Sequence, residues 1–132
     1  MPDSLHSDLT QYIAHYKLNN CIVIIDWNKR QLDGYLTDIM NPFSIPEKMK
    51  AFGFNTQVVK GNDMEAIDDA INAAKEVKDS AVCIVLDSVK GQSVPYFEEM
   101  LANHSVKFGG ETIEEANKAV AMYKEFIEKE EA

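Results

Sequence analysis

Apolar and polar positions divide this chain into alternating helical and extended segments. Leu5, Leu9, Tyr12, Ile13 and Tyr16 recur at helical spacing and predict a helix over residues 5–18, with Asp3 or Ser4 available as its cap. Asn19-Asn20 ends it, and Cys21 to Ile25 follow as an unbroken apolar run. That run is too short to span a membrane, and its β-branched content predicts a strand over 21–26 buried on both faces. A polar turn, Asp26 to Gly34, comes next, and residues 35–43 read as irregular, closing on Asn41-Pro42. Ser44 with Glu47 reads as a capping box, with Pro46 tolerated in the first turn, and opens a short helix that stops near Gly53.

The second half repeats the alternation. Residues 54–60 predict a second strand, weakened by Asn55 and Gln57. Gly61-Asn62-Asp63 is a turn, and Asn62 or Asp63 caps a helix over 64–78 with Met64, Ile67, Ile71 and Ala74 on one side. Ala81 to Leu86 is again a continuous apolar run and predicts a third strand. A polar loop with Lys90-Gly91 follows, then a short turn or helix from Pro95 to Leu101, then a break at Gly109-Gly110. Thr112 with Glu115 reads as another capping box, opening a last helix with the stripe Ile113, Ala116, Val120, Tyr123 and Ile127. Alternation of this kind implies parallel strands joined by right-handed crossovers, hence an α/β fold of three layers, αβα, around a small parallel sheet. A three-stranded sheet leaves both edges open, and open edges are templates for pairing. We therefore expect another chain, or a larger whole, to complete it.

Composition narrows this picture. A chain of 132 residues is enough for one domain, and we take 1–132 as a single one. The net charge of −9, with scattered basic residues, argues against a nucleic-acid partner. Two cysteines, Cys21 and Cys83, lie in apolar runs and read as buried reduced thiols. The N-terminus lacks the basic-then-apolar pattern of a signal peptide, and no apolar run is long enough for a bilayer span, so the cytoplasm is expected and a membrane is not.

The common phosphate cradles and the nucleophile elbow are absent from the sequence, and His6, His15 and His104 are scattered. What remains is the cluster at the end of the first strand. In open parallel sheets, ligands bind beyond the carboxyl ends of the strands. Asp26 and Asn28 stand there, and oxygen donors at that place suit a hard divalent cation shared with a diphosphate. The plainer reading is that Asn28 shapes a turn, as Asn often does.

The stretches His15-Tyr16-Lys17-Leu18-Asn19-Asn20 and Ile25-Asp26-Trp27-Asn28-Lys29-Arg30-Gln31-Leu32-Asp33-Gly34 resemble the thiamine-diphosphate-binding domain of transketolase. The likeness continues through Ala51-Phe52-Gly53-Phe54, Asn62-Asp63 and Val89-Lys90-Gly91, roughly residues 12–108. The resemblance implies that Asn28 binds the metal (magnesium, or calcium) and the diphosphate, and that Arg30 supplies a backbone carbonyl to the metal. It places Asp26 and Leu32 near the thiazolium ring. It makes His104 a catalytic histidine that reaches the diphosphate and the substrate. The implied reaction moves a two-carbon ketol unit between sugar phosphates. The family's Gly-Asp-Gly, whose Asp is the other metal ligand, does not occur in this sequence. The expectation is a part of a transketolase-like enzyme, inactive alone, that works as a homo-oligomer or with a completing transketolase subunit. The alternative is a non-catalytic interaction module of the same fold.

Overall fold

A computed structural model describes residues 3–32, 34–107 and 109–130, with side chains from residue 8 onward. The side chains of Asp3, Ser4 and Leu5, and Asp33 as a whole, lie outside the described residues. Helix α1 spans Asp3–His15 and strand β1 Ile22–Trp27. Two short strands, β2 (Arg30–Gln31) and β3 (Gly34–Tyr35), form an antiparallel hairpin. Helices α2 (Leu36–Ile39) and α3 (Ile45–Ala51) lead to β4 (Asn55–Lys60). Helix α4 (Met64–Glu76), strand β5 (Val82–Asp87), and helices α5 (Pro95–Glu99) and α6 (Glu111–Glu130) complete the order.

The main sheet has three parallel strands in the order β1-β5-β4. Helices α1 and α3 cover one face, where Ile13, Met49 and Phe54 pack with Cys83 and Val85. Helix α4 covers the other, where Ala70 and Ala74 pack with Val82 and Ile84. This is the expected three-layer arrangement. The small residues of α4 let its backbone approach β5 closely, and Val82, Cys83, Ile84 and Val85 are all 0% exposed.

The expectation that 21–26 is buried on both faces does not hold. β1 is an edge strand, and Ile24 is 53% exposed on the α4 face. Helix α4 packs on β4 and β5 and reaches only the start of β1, where Ile22 joins its core. The tract buried on both faces is β5, because it is the one with a neighbour on each side.

Local signals explain the element ends. Asp63, rather than Asn62, caps α4 by accepting from the Ala66 N–H at 3.0 Å. The Ser44 hydroxyl accepts from the Glu47 N–H at 3.3 Å, as a capping residue does. Helix α1 stops earlier than expected, because Lys17 turns left-handed at φ 50° and the Leu18 N–H closes on the Ile13 carbonyl. The span 35–43 is less irregular than expected, since it holds β3's Tyr35 and the single turn of α2. The Thr112–Glu115 box does not form. Helix α6 starts at Glu111, so Thr112 lies inside its first turn and bonds Gly109 instead, while Glu115 pairs with Lys118. The α6 stripe is present, yet no residue of α6 is buried among the described residues, and Val120 is 53% exposed. Its Tyr123 hydroxyl donates to the Ser93 carbonyl at 3.2 Å.

Candidate functional site

The three parallel strands end flush. Trp27 pairs with Asp87, and Asp87 with Lys60 on its other side. The turns after β1, β5 and β4 therefore meet at one edge of the sheet, the carboxyl edge where ligands bind in this class.

Asp26, Asn28 and Arg30 come together there. The Asn28 carboxamide is held at both ends. Its Nδ2 donates to Asp26 Oδ2 at 2.9 Å, and its Oδ1 accepts from the Arg30 backbone N–H at 3.0 Å. Asp26 Oδ1 accepts from the Ser88 hydroxyl across the strand gap. Lys29, left-handed at φ 65°, folds its ammonium back over the Trp27 ring at 3.9 Å. The same ammonium donates to the Trp27 carbonyl at 2.7 Å and pairs with Asp87. A left-handed non-glycine residue costs free energy, and this turn is held by side-chain bonds on both sides of it.

Sequence reasoning placed Lys29 at this strand end but missed its pairing with Asp87, and missed Asp87 and Ser88 as parts of this network. Their polarity at strand ends was visible. The adjacency of β1 and β5, which brings them together, was not.

Gly61 allows the same closeness from the β4 side. Its N–H donates to the Asp87 carbonyl at 2.9 Å, and a Cβ there would fall 2.6 Å from the Ser88 Cβ.

Leu32 sits in the tip of the β2–β3 hairpin with φ 30° and is 51% exposed. His104 is exposed in the irregular segment between α5 and α6. Among the described residues, no hydrogen bond joins Leu32 or His104 to Asn28. The link to the His104 segment runs through Arg30, whose Nη1 donates to the Met100 carbonyl and Nη2 to the Glu98 carbonyl, both at 2.5 Å. The Tyr35 ring backs the guanidinium at 4.9 Å. Beside this segment lies an open cavity of about 460 Å³ lined by Lys90, Gly91, Val94, Phe97 and Asn103, among others. Asn103 Nδ2 donates to the Phe97 carbonyl at 2.7 Å, while its Oδ1 is buried without a partner.

The donor set matches a hard cation in kind, since the Asn28 Oδ1 keeps a second lone pair and the Arg30 carbonyl is a second oxygen. It falls short in number. Among the described residues, no group of three or more His, Cys, Asp or Glu side chains is placed to hold a metal. Both cysteines are free; Cys21 is half-buried and Cys83 buried, and burial pushes the Cys83 thiol up to about 11. No helix among the described residues is long and apolar enough to cross a membrane.

Residues 2–131 match the family model described as transketolase, thiamine diphosphate binding domain. A 6-deoxy-6-sulfo-D-fructose transketolase subunit from a Clostridium species is 34% identical over 92 residues, covering 69% of this chain and 33% of that protein. An apulose-4-phosphate transketolase subunit from Phocaeicola vulgatus is 30% identical over 115 residues, covering 87% of this chain and 41% of that one. The chain thus spans well under half the length of these relatives. Among solved structures, the transketolase of Campylobacter jejuni superposes with a TM-score of 0.68 at 23% identity, over 83% of this chain and 17% of that one. That likeness concerns the fold, and the family-model match over nearly the whole chain carries the assignment. This chain belongs to the transketolase thiamine-diphosphate-binding domain family.

Proposed function

We propose that this chain is a single partial domain of a transketolase-like transferase, and that its Asn28 turn anchors the diphosphate of thiamine diphosphate through a divalent metal, magnesium or calcium. The observation that carries this reading is the Asn28 carboxamide, fixed by Asp26 and by the Arg30 N–H at the carboxyl edge of a parallel sheet. In this reading Asn28 Oδ1 and the Arg30 carbonyl are two of the metal's ligands. The remaining ligands are diphosphate oxygens, waters and groups beyond the described residues. Asp26 and Leu32 lie toward the thiazolium ring, and His104 toward the diphosphate and the substrate. Thiamine diphosphate, when bound, supplies the carbon–carbon bond chemistry, and the protein positions it.

The reaction is transfer of a two-carbon ketol unit between sugar phosphates. Two relatives are named for anionic sugars, one a sulfo-sugar and one a sugar phosphate, which supports an anionic substrate. Both are named as subunits, which supports a completing transketolase subunit or a homo-oligomer. The cytoplasm is the compartment that suits such a protein.

With only part of the ligand set present, cofactor binding by the 132-residue chain is weak and ketol transfer by it alone is undetectable. Detectable transfer by the purified chain with thiamine diphosphate and magnesium overturns this. A second reading, a non-catalytic interaction module, is favoured by the exposed Ile24 edge and the uncovered α6 stripe. Calorimetry separates the two. Heat on adding thiamine diphosphate and magnesium in the presence of a transketolase subunit supports the enzyme reading, and its absence supports the module.

A further inference from the structure

We propose that the Arg30 side chain is a positioning residue that couples the Asn28 turn to the segment 98–104 carrying His104. This role belongs to the guanidinium and is distinct from that of the Arg30 carbonyl.

Helix α5 is five residues long, too short to hold itself by its own backbone bonds. The last carbonyls of a helix lack intrahelical partners, and basic side chains satisfy them. Arg30 does this from 68 and 70 residues away, binding Glu98 in the last turn and Met100 at the C-cap. The planar fork fixes orientation as well as distance, which a single ammonium does not. Tyr35, paired with Arg30 across the hairpin, stops the guanidinium from swinging back. The Arg30 backbone N–H is what Asn28 Oδ1 holds. One residue therefore grips the Asn28 carboxamide with its main chain and the 98–104 segment with its side chain. Among the described residues, the hydrogen bonds between the hairpin and that segment are those of the Arg30 guanidinium. Behind the grip the segment is itself folded. Asn103 is tied to Phe97, and the Glu98 carboxylate accepts from the Ser93 N–H at 2.6 Å. Moving Glu98 and Met100 thus moves the wall of the cavity and the approach to His104 together. The functional meaning rests on the reading of Asn28 and His104 given above. The coupling does not.

The test is a double-mutant cycle on the full chain, with Asn28→Ala, Arg30→Met and both, read by amide hydrogen exchange. Arg30→Met is expected to speed exchange across Phe97–Asn103 by about tenfold, as loss of two net hydrogen bonds implies, and to leave Val82–Val85 unchanged. Asn28→Ala is expected to speed exchange in Phe97–Asn103 when Arg30 is present and to have no further effect there in Arg30→Met. A purely structural role would raise exchange in both regions and give additive effects. Arg30→Lys, which keeps the charge without the fork, is expected to restore protection in part. Additive effects, or an unchanged Phe97–Asn103 in Arg30→Met, overturn the coupling.

A second arm uses thiamine diphosphate with magnesium as the probe. Amide shifts are expected at Asn28–Arg30 and at 98–104 in the wild type, and only at Asn28–Arg30 in Arg30→Met. Shifts at neither place contradict the cofactor reading, and the cycle still decides the coupling.

Discussion

Single residues at the carboxyl edge show how little slack the site has. Gly61 is the clearest case. A Cβ there meets the Ser88 Cβ at 2.6 Å and its Cα at 3.1 Å, and a backbone atom cannot swing aside as the end of a long side chain can. Gly61→Ala is expected to cost about 1–3 kcal/mol and to push Ser88 off Asp26. Gly109→Ala is the control, because a Cβ there meets nothing among the described residues within 4 Å, and its change should stay within about 0.5 kcal/mol by urea titration. Cys83 makes a pH-dependent prediction. Burial lifts its pKa from 9.0 to about 11, so the folded state keeps a proton that the unfolded chain releases. The contribution is complete below pH 9 and is lost as pH rises from 9 through about 11. Melting temperatures measured across that window should fall more for the wild type than for Cys83→Ala, compared with their own values at about pH 8. Equal slopes would contradict it.

Between the two apolar strands, position in the sheet decides energy. Ile84 in β5 has a neighbour on both sides and a helix on its face, whereas Ile24, at the same level in β1, has a helix over neither its side chain nor its outer edge. Ile84→Ala is expected to cost about 2–5 kcal/mol in urea unfolding, and Ile24→Ala less than about 1 kcal/mol. Comparable losses would contradict the assignment of β1 to an edge. This contrast marks what could be read in advance. The three strands were legible to within a residue, since local apolar runs and turn residues set their ends. The tracts Ile22–Ile25 and Val82–Val85 are locally alike, so which one is central depends on pairing between distant residues and leaves no local mark. The site divides the same way. Asp26, Asn28 and Arg30 cluster because they are close in sequence, and so they were legible. Ser88, Asp87 and the Arg30 grip on Glu98 and Met100 depend on strand order and on the fold of the 88–104 loop, and so they were not.

At the scale of the whole molecule, the chain is a three-layer αβα fold around a small parallel sheet, with its polar strand-end residues gathered at one end of that sheet. The family is that of the cofactor-binding domain, and the proposed anchor for that cofactor is the Asn28 turn, whose carboxamide is fixed by Asp26 and the Arg30 N–H. The most direct measurement is the ³¹P spectrum of thiamine diphosphate with magnesium on addition of this chain. The expected result is a weak, magnesium-dependent shift of the diphosphate signals that Asn28→Ala reduces by about tenfold in affinity or more, the worth of about 1.4 kcal/mol. An unshifted spectrum, or a shift that Asn28→Ala leaves intact, would contradict the account.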